Sequence, residues 1–279
     1  MFGDLTRVGA NFHAMEAWAN LKKVNGDIGS VQSRLSTGKR INSAEDDTSG
    51  YALSKQLESR TRGLSQALDN VGTAKNVLRI AEGSYQAQMS ILQRMKEKAT
   101  QAADGSFSSE QRSAINDEYT ALVKEIQDIA DQAKFNDNTL FGTTMTFQVG
   151  EDSSNTLAVT FDSSTSAAVG EGNTDISTST VSLATAASAS TAIGTLDTAI
   201  KELAKSIQEM GDFNARLSSK EESLSLAISN TEATRSRIED ADFAKEQMNL
   251  MKMSILQQTT MASFAQANSS AQMVLALFQ

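Results

Sequence analysis

Proline is absent from all 279 residues, although average usage would place it at ~5% of positions. Nothing therefore removes a backbone N–H or clashes with a preceding turn, and helices can run long without a break. Cysteine is absent as well, which excludes disulfides, zinc–thiolate sites and thiol catalysis. Aromatic residues make up only 5%, so a core must be built from Leu, Ile, Val, Met and Ala, a set that suits helix-on-helix packing. Positive charge is in deficit: the net charge is −9, which argues against nucleic acid as a partner, because phosphate binding requires a basic face. The opening MFGDLTRVGANFHAMEAW mixes Asp4, Arg7, His13 and Glu16 into its apolar residues, and no basic segment followed by an apolar one reads as a secretory signal. From Met253 to Gln279 no residue is charged. That length would suit a bilayer span, yet Ser, Thr, Asn and Gln occupy nearly half of it, including Gln257, Gln258, Thr259, Thr260, Asn268, Ser269 and Ser270. The segment reads as no membrane helix.

What is present is a period of seven. One seam runs Leu57, Leu64, Val71, Leu78, Tyr85, Leu92 and Ala99; three residues later a second runs Arg60, Ala67, Ala74, Ala81, Gln88, Met95 and Ala102. Large residues on one line and mainly alanine on the other let a partner helix approach closely. Ser43 followed by Asp46 resembles a capping box and predicts a helix from about residue 43 to Ala103, roughly 90 Å at ~1.5 Å per residue. Asp104-Gly105-Ser106 ends it, and Ser108 with Gln111 caps the next, along which Ile115, Tyr119, Leu122, Ile126, Ile129 and Ala133 repeat in steps of three and four. In the C-terminal half Leu196, Leu203, Met210, Leu217, Leu224, Thr231 and Ile238 fall seven apart, with Ile193, Ile200, Ile207 and Ile228 on the second seam. The fold class expected is mainly α: an elongated antiparallel coiled-coil bundle from the N- and C-terminal halves, with a small β insertion.

The insertion is a hairpin. Met145, Phe147 and Val149, and then Leu157, Val159 and Phe161, alternate with polar residues around Gly150–Asn155. Residues 162–192 are about half Ser and Thr, a low-complexity connection with too few large apolar groups for a core of its own. The ends differ. Phe2, Leu5, Phe12, Met15 and Trp18, and Met248, Met251, Ile255, Leu256, Met261, Phe264, Val274, Leu275, Leu277 and Phe278, are apolar on several faces. Such helices must be buried, and a two-helix pair cannot bury them within one chain. Other copies of the chain must do so.

Candidate chemistry is scant. Gly38-Lys39 suggests a phosphate loop, but the motif needs a glycine five positions before its Gly-Lys, where Ser33 stands, and no strand precedes it. Glu45, Asp46 and Asp47 suggest calcium, but adjacent acids point apart on a helix and the alternating ligands of a calcium loop are missing; they read as first-turn acids favoured by the helix dipole. His13, the only histidine, pairs at most with Glu16 and reads as packed or solvated. Met248, Met251, Met253 and Met261 read as core or interface filler. No catalytic, cofactor-binding or metal residue is assigned, and the chain reads as no enzyme.

RLSTGKRINSAEDDTSGYALS (34–54) closely resembles the N-terminal signature of bacterial flagellins. The likeness continues through RGLSQALDN (62–70), IAEGSYQAQMSILQRMKEKATQAADGS (80–106) and FNDNTLF (135–141). It resumes with MGDFNARL (210–217), EATRSRIEDADFAKEQM (232–248) and ILQQTTMASFAQANSSAQMVLALF (255–278). The resemblance implies a secreted subunit that polymerises with itself into the extracellular flagellar filament and gives swimming motility. It implies an inner filament-core domain from residues 1–42 with 243–279, and a helical domain from 43–242 with a hairpin region at about 140–185. Ser36 to Gly50 would join the two and make subunit contacts. The middle is short, without the outer domains that many flagellins insert; Ser269-Ser270 replaces the family's usual proline, and the opening lacks its Asn-rich start and carries Trp18. The hook-associated protein at the hook–filament junction shares these termini and is the alternative; EDDTSG and AQAN favour flagellin.

The same resemblance implies export through the flagellar type III apparatus, which would read a disordered stretch of roughly residues 1–40, an export chaperone, and hook-associated and cap proteins as neighbours. Residues 162–192 would be outermost and open to O-linked glycan. In flagellins recognised by the host Toll-like receptor, the segment resembling LQRMKEKATQ (92–101) makes contact through an Arg and a nearby Leu. Arg94 matches the first, whereas Lys98 stands in the second place, which implies weak receptor contact. From the residues alone a soluble coiled-coil adaptor and a membrane-active toxin remain competitors. An adaptor has no reason for a charge-free tail, and a membrane-active tail would carry Lys or Arg on its polar face.

Overall fold

The computed structural model describes residues 11–276, with side-chain surroundings from residue 11 to 269. Five helices account for most of it: α1 (Phe12–Thr37), α2 (Thr48–Ala103), α3 (Ser109–Gln132), α4 (Ala186–Glu239) and α5 (Phe243–Ala276). Six short strands lie between α3 and α4: β1 (Lys134–Phe135), β2 (Asn138–Thr139), β3 (Thr143–Gln148), β4 (Thr156–Phe161), β5 (Ser164–Thr165) and β6 (Ala168–Val169), paired in sequence order as three antiparallel ribbons. The chain divides into two compact units, residues 1–60 with 230–279, and residues 61–229. The first boundary lies inside α2, after residues 42/43, and the second inside α4, before residues 242/243.

In the unit 61–229 the core follows the heptads. Leu64, Val71, Leu78, Tyr85, Leu92 and Ala99 are buried on one seam of α2, and Ala67, Ala74, Ala81, Gln88, Met95 and Ala102 on the other. From α4 come Leu196, Leu203, Met210, Leu217 and Leu224, and from α3 Ile115, Tyr119, Val123 and Ile126. Ile193, Ile200, Ile207 and Ile228 pack against this core from its edge, half-buried. The direction of α4 is legible in its ion pairs: Lys75 meets Glu221 and Lys96 meets Asp197, so the partner retreats along α4 as α2 advances. The pairing is antiparallel. Ser108 caps α3 with the reciprocal bonds to Gln111 that the sequence predicts. The hairpin β3–β4 pairs Met145 with Val159 and Phe147 with Leu157, and turns Leu157, Val159 and Phe161 into the core.

Two expectations are corrected here. α2 starts at Thr48, not near residue 43, because Asp47 rather than Ser43 caps it: its Oδ1 accepts from the Gly50 amide at 2.9 Å. Ser43 and Asp46 do bond each other, but inside a turn that precedes the helix. The second concerns residues 162–192, which are no loose connection. They place Val169, Ile176, Val181 and Leu183 in the shared core, and side chains of the bundle bind their backbone. Tyr85 Oη donates to the Asp162 carbonyl at 2.8 Å, Tyr119 Oη to that of Ile176 at 2.8 Å, and the Leu183 amide donates to Asn116 Oδ1 at 2.9 Å. Gln88, the polar residue inside the alanine seam, donates to the carbonyls of Ile126 and Ser164. A segment too poor in apolar residues for its own core thus completes another's, with its buried polar groups satisfied. Burial also pushes both tyrosine hydroxyls to a pKa well above the ordinary one.

Candidate assembly surface

In the unit made from the two ends of the chain, α1 and α5 pair along their length. Asn11 caps α1 through the Ala14 amide and also donates to the Ala267 carbonyl at 2.9 Å. Gln257 donates to Asn25 Oδ1 at 2.7 Å, and Arg34 comes within 4.0 Å of Glu246. The pair is therefore antiparallel. Its seam has a heptad spacing on both sides: Ala14, Leu21 and Ile28 with Ala17, Val24 and Val31 on α1, against Glu246, Met253, Thr260 and Ala267 with Leu250, Gln257 and Phe264 on α5, all buried or half-buried. Sequence reasoning missed this register, because polar residues occupy several α5 seam positions while larger apolar ones lie elsewhere.

Those others are exposed. Phe12, Met15 and Trp18 on α1, and Phe243, Met248, Met251, Ile255 and Met261 on α5, are each at least 55% accessible. A pair of helices that leaves Phe12, Trp18, Phe243 and four methionines outside its own seam has apolar surface turned to something else. Val274, Leu275, Leu277 and Phe278 lie outside the residues whose side chains are described. The expected disorder of residues 1–40 is corrected for the described part, since α1 is helical from Phe12 to Thr37; residues 1–10 lie outside the description.

Between α1 and α2 the Gly38-Lys39 segment forms a junction. Gly38 ends α1 in the left-handed conformation, at φ +73°, with its amide returning to the Arg34 carbonyl. That conformation is open to glycine and costly for a residue with a Cβ. Lys39 then pairs as an isolated bridge with Asp240, the Arg40 amide donates to the Glu239 carbonyl at 2.6 Å, and the Ala241 amide donates to that of Gly38 at 2.9 Å. The short α4–α5 connection and the α1–α2 connection are thereby stitched together.

The stitch centres on Glu239, buried at 4% exposure. Its carboxylate accepts from Lys39 Nζ, from Ser54 Oγ at 2.7 Å and from Arg235 at 2.9 Å, and Arg235 also grips Glu232. Burial alone would raise the Glu239 pKa, but these donors and the charges of Lys39 and Arg235 outweigh it and hold the carboxyl down to about 2. Asp46, though exposed, is also lowered, chiefly by the amides of Asn42 and Ser43.

The remaining sequence candidates scatter. Glu45, Asp46 and Asp47 are exposed turn and cap residues, and His13 is exposed on α1. Among the described residues no group of three His, Cys, Asp or Glu could hold a metal ion, and no helix is long and apolar enough to cross a membrane. Arg94 is exposed on α2, and Lys98 one turn later forms an ion pair with Glu118 of α3.

Comparison with known proteins covers most of these elements. Residues 8–146 fit the family described as the bacterial flagellin N-terminal helical region, and residues 193–278 fit the bacterial flagellin C-terminal helical region. The chain belongs to the bacterial flagellin family. It is 36% identical to flagellin FlaB1 of Treponema pallidum, over 96% of this chain and 98% of that one. It is 33% identical to a flagellin of Halalkalibacterium halodurans over the same shares. Among solved structures, a putative flagellar hook-associated protein from Vibrio parahaemolyticus superposes with a TM-score of 0.61 over 70% of this chain and all of that one, at 15% identity, a likeness of fold. The N-terminal family region takes in α1, the Gly38 junction, α2, α3 and the first strands, and the C-terminal region takes in nearly all of α4 with α5.

Proposed function

We propose that this chain works as the structural subunit of a bacterial flagellar filament, a building block and not a catalyst. The observation that carries the reading is the outward apolar face of α1 and α5. Phe12, Trp18 and Ile255 stand in water in the isolated chain and gain ~25 cal/mol per Å² when covered. Relatives matching nearly the whole chain, named as flagellins and flagellar filament core proteins, support a filament role over a junction role. Residues 1–42 with 243–279 then form the filament-core domain, and 43–242 the helical domain with its hairpin. The chain leaves the cell through the flagellar type III apparatus with an export chaperone, and meets hook-associated and cap proteins at the filament ends. It drives swimming from outside the cell.

Deleting residues 253–279 tests the reading. The core between Leu64 and Leu224 needs none of them, so the truncated chain stays soluble and helical but forms no filament in electron micrographs. Ile255→Glu changes a side chain 64% exposed in the single chain. It leaves folding intact and blocks assembly, because the carboxylate is buried unpaired in every copy. Filaments from either variant would overturn the assignment of this surface.

A further inference from the structure

Among the described methionines two populations stand apart, with Met253 half-buried in the α1–α5 seam between them. Met15, Met248, Met251 and Met261 are 64%, 60%, 55% and 55% exposed, and all lie on α1 or α5. In the other unit Met95 and Met210 are fully buried, and Met89 and Met145 pack against the core. An exposed thioether is a nucleophile toward peroxide, and its oxidation turns a flexible apolar side chain into a polar one. We propose that Met15, Met248, Met251 and Met261 form an oxidation site that gates assembly: peroxide converts them to sulfoxides in the free subunit and stops it from joining a filament, whereas an assembled subunit is protected.

The step balances with peroxide as the only co-reactant. A sulfur lone pair attacks one peroxide oxygen, an S–O bond forms as the O–O bond breaks, and the departing hydroxide takes the proton of the attacked oxygen to leave as water. Sulfur is oxidised by two electrons and peroxide is reduced by two. The sulfoxide oxygen accepts hydrogen bonds strongly. Covering a face that carries Phe12, Trp18 and Ile255 costs that oxygen its hydrogen bonds to water, and rings and aliphatic chains return none. Folding is spared because none of the four lies in the α1–α5 seam or in the Leu64–Leu224 core.

This inference rests on the filament reading, and one experiment separates the two. Purified subunit is treated with hydrogen peroxide, sulfoxides are mapped by peptide mass spectrometry, and elongation of preformed seeds is followed by light scattering. The expected result is oxidation at Met15, Met248, Met251 and Met261 before Met95 and Met210, unchanged far-UV circular dichroism, and elongation slowed by about tenfold or more. Methionine sulfoxide reductases restore the rate, and filaments exposed to the same peroxide keep the four thioethers. A variant with all four changed to Leu, a swap that nearly conserves volume, elongates normally after peroxide. Untreated subunit that never elongates seeds overturns the filament reading and this inference with it. Oxidised subunit that elongates at the untreated rate, or a four-Leu variant that still loses assembly to peroxide, overturns the gate alone.

Discussion

Replacing Glu239 by Gln keeps the shape of the side chain and removes the charge that joins the two inter-helix connections. In the folded chain its pKa is held at about 2, against an ordinary value of 4.5. A depressed carboxylate stabilises the fold above the ordinary value, and that stabilisation is lost as the pH falls from about 4.5 through 2. At ~1.36 kcal/mol for each pH unit of the gap, the ceiling is about 3 kcal/mol at neutral pH. The realised loss should be smaller, on the order of 1–3 kcal/mol. Lys39, 39% exposed, can return to water, and Arg235 keeps Glu232. The assay is urea denaturation of the monomer followed by circular dichroism, with hydrogen exchange at the Arg40 and Ala241 amides as the local readout, since both donate across the stitch. At pH 7 the variant should be less stable, and both amides should exchange faster. At pH 2 the gap should have largely closed, because Glu239 itself is then about half protonated. A stability difference unchanged between pH 7 and pH 2 would refute the reasoning, since it would show that the packing of the side chain, and not its charge, holds the connections.

Gly38→Ala should cost about 1 kcal/mol by thermal unfolding, the strain of a Cβ at φ +73° in otherwise open space. Gly170→Ala should cost clearly more, because the same strain at φ +69° is joined by a Cβ 2.7 Å from the Glu202 backbone of α4; equal costs would show that the close approach is relieved by a small shift. If native filaments carry O-linked glycan, it should sit on the exposed Thr178, Ser182, Thr185, Ser190 or Thr191 and not on the buried Ser164; mass spectrometry of unmodified peptides there removes the claim. Lys98→Leu should raise activation of the host receptor by the monomer in a reporter assay. It replaces a charge now paired with Glu118 by an apolar contact beside exposed Arg94; no change would show that this position makes no contact.

The sequence determined the bundle. Its heptads needed only local periodicity: the seams from Leu64 to Ala99 and from Leu196 to Leu224 are buried as spaced, with Ile200 and Ile207 half-buried beside them. The charge-free end with its excess of apolar residues also announced a surface needing other copies, because composition alone shows when one chain cannot cover itself. Tertiary structure decided what depends on partners distant in sequence. The 162–192 segment looked coreless until Tyr85, Tyr119 and Asn116 supplied hydrogen bonds to it. Asp47 won the cap of α2 over Ser43, a competition of a few residues that pattern cannot rank. The α1–α5 register was hidden by Glu246, Gln257 and Thr260, whose seam positions follow from the facing helix and not from their polarity. Glu239 is one acid among 34 Asp and Glu residues in the sequence. Only the fold brings Lys39, Ser54 and Arg235 to it, because electrostatic partnership is set by distance in space, and those groups come from three different helices or connections.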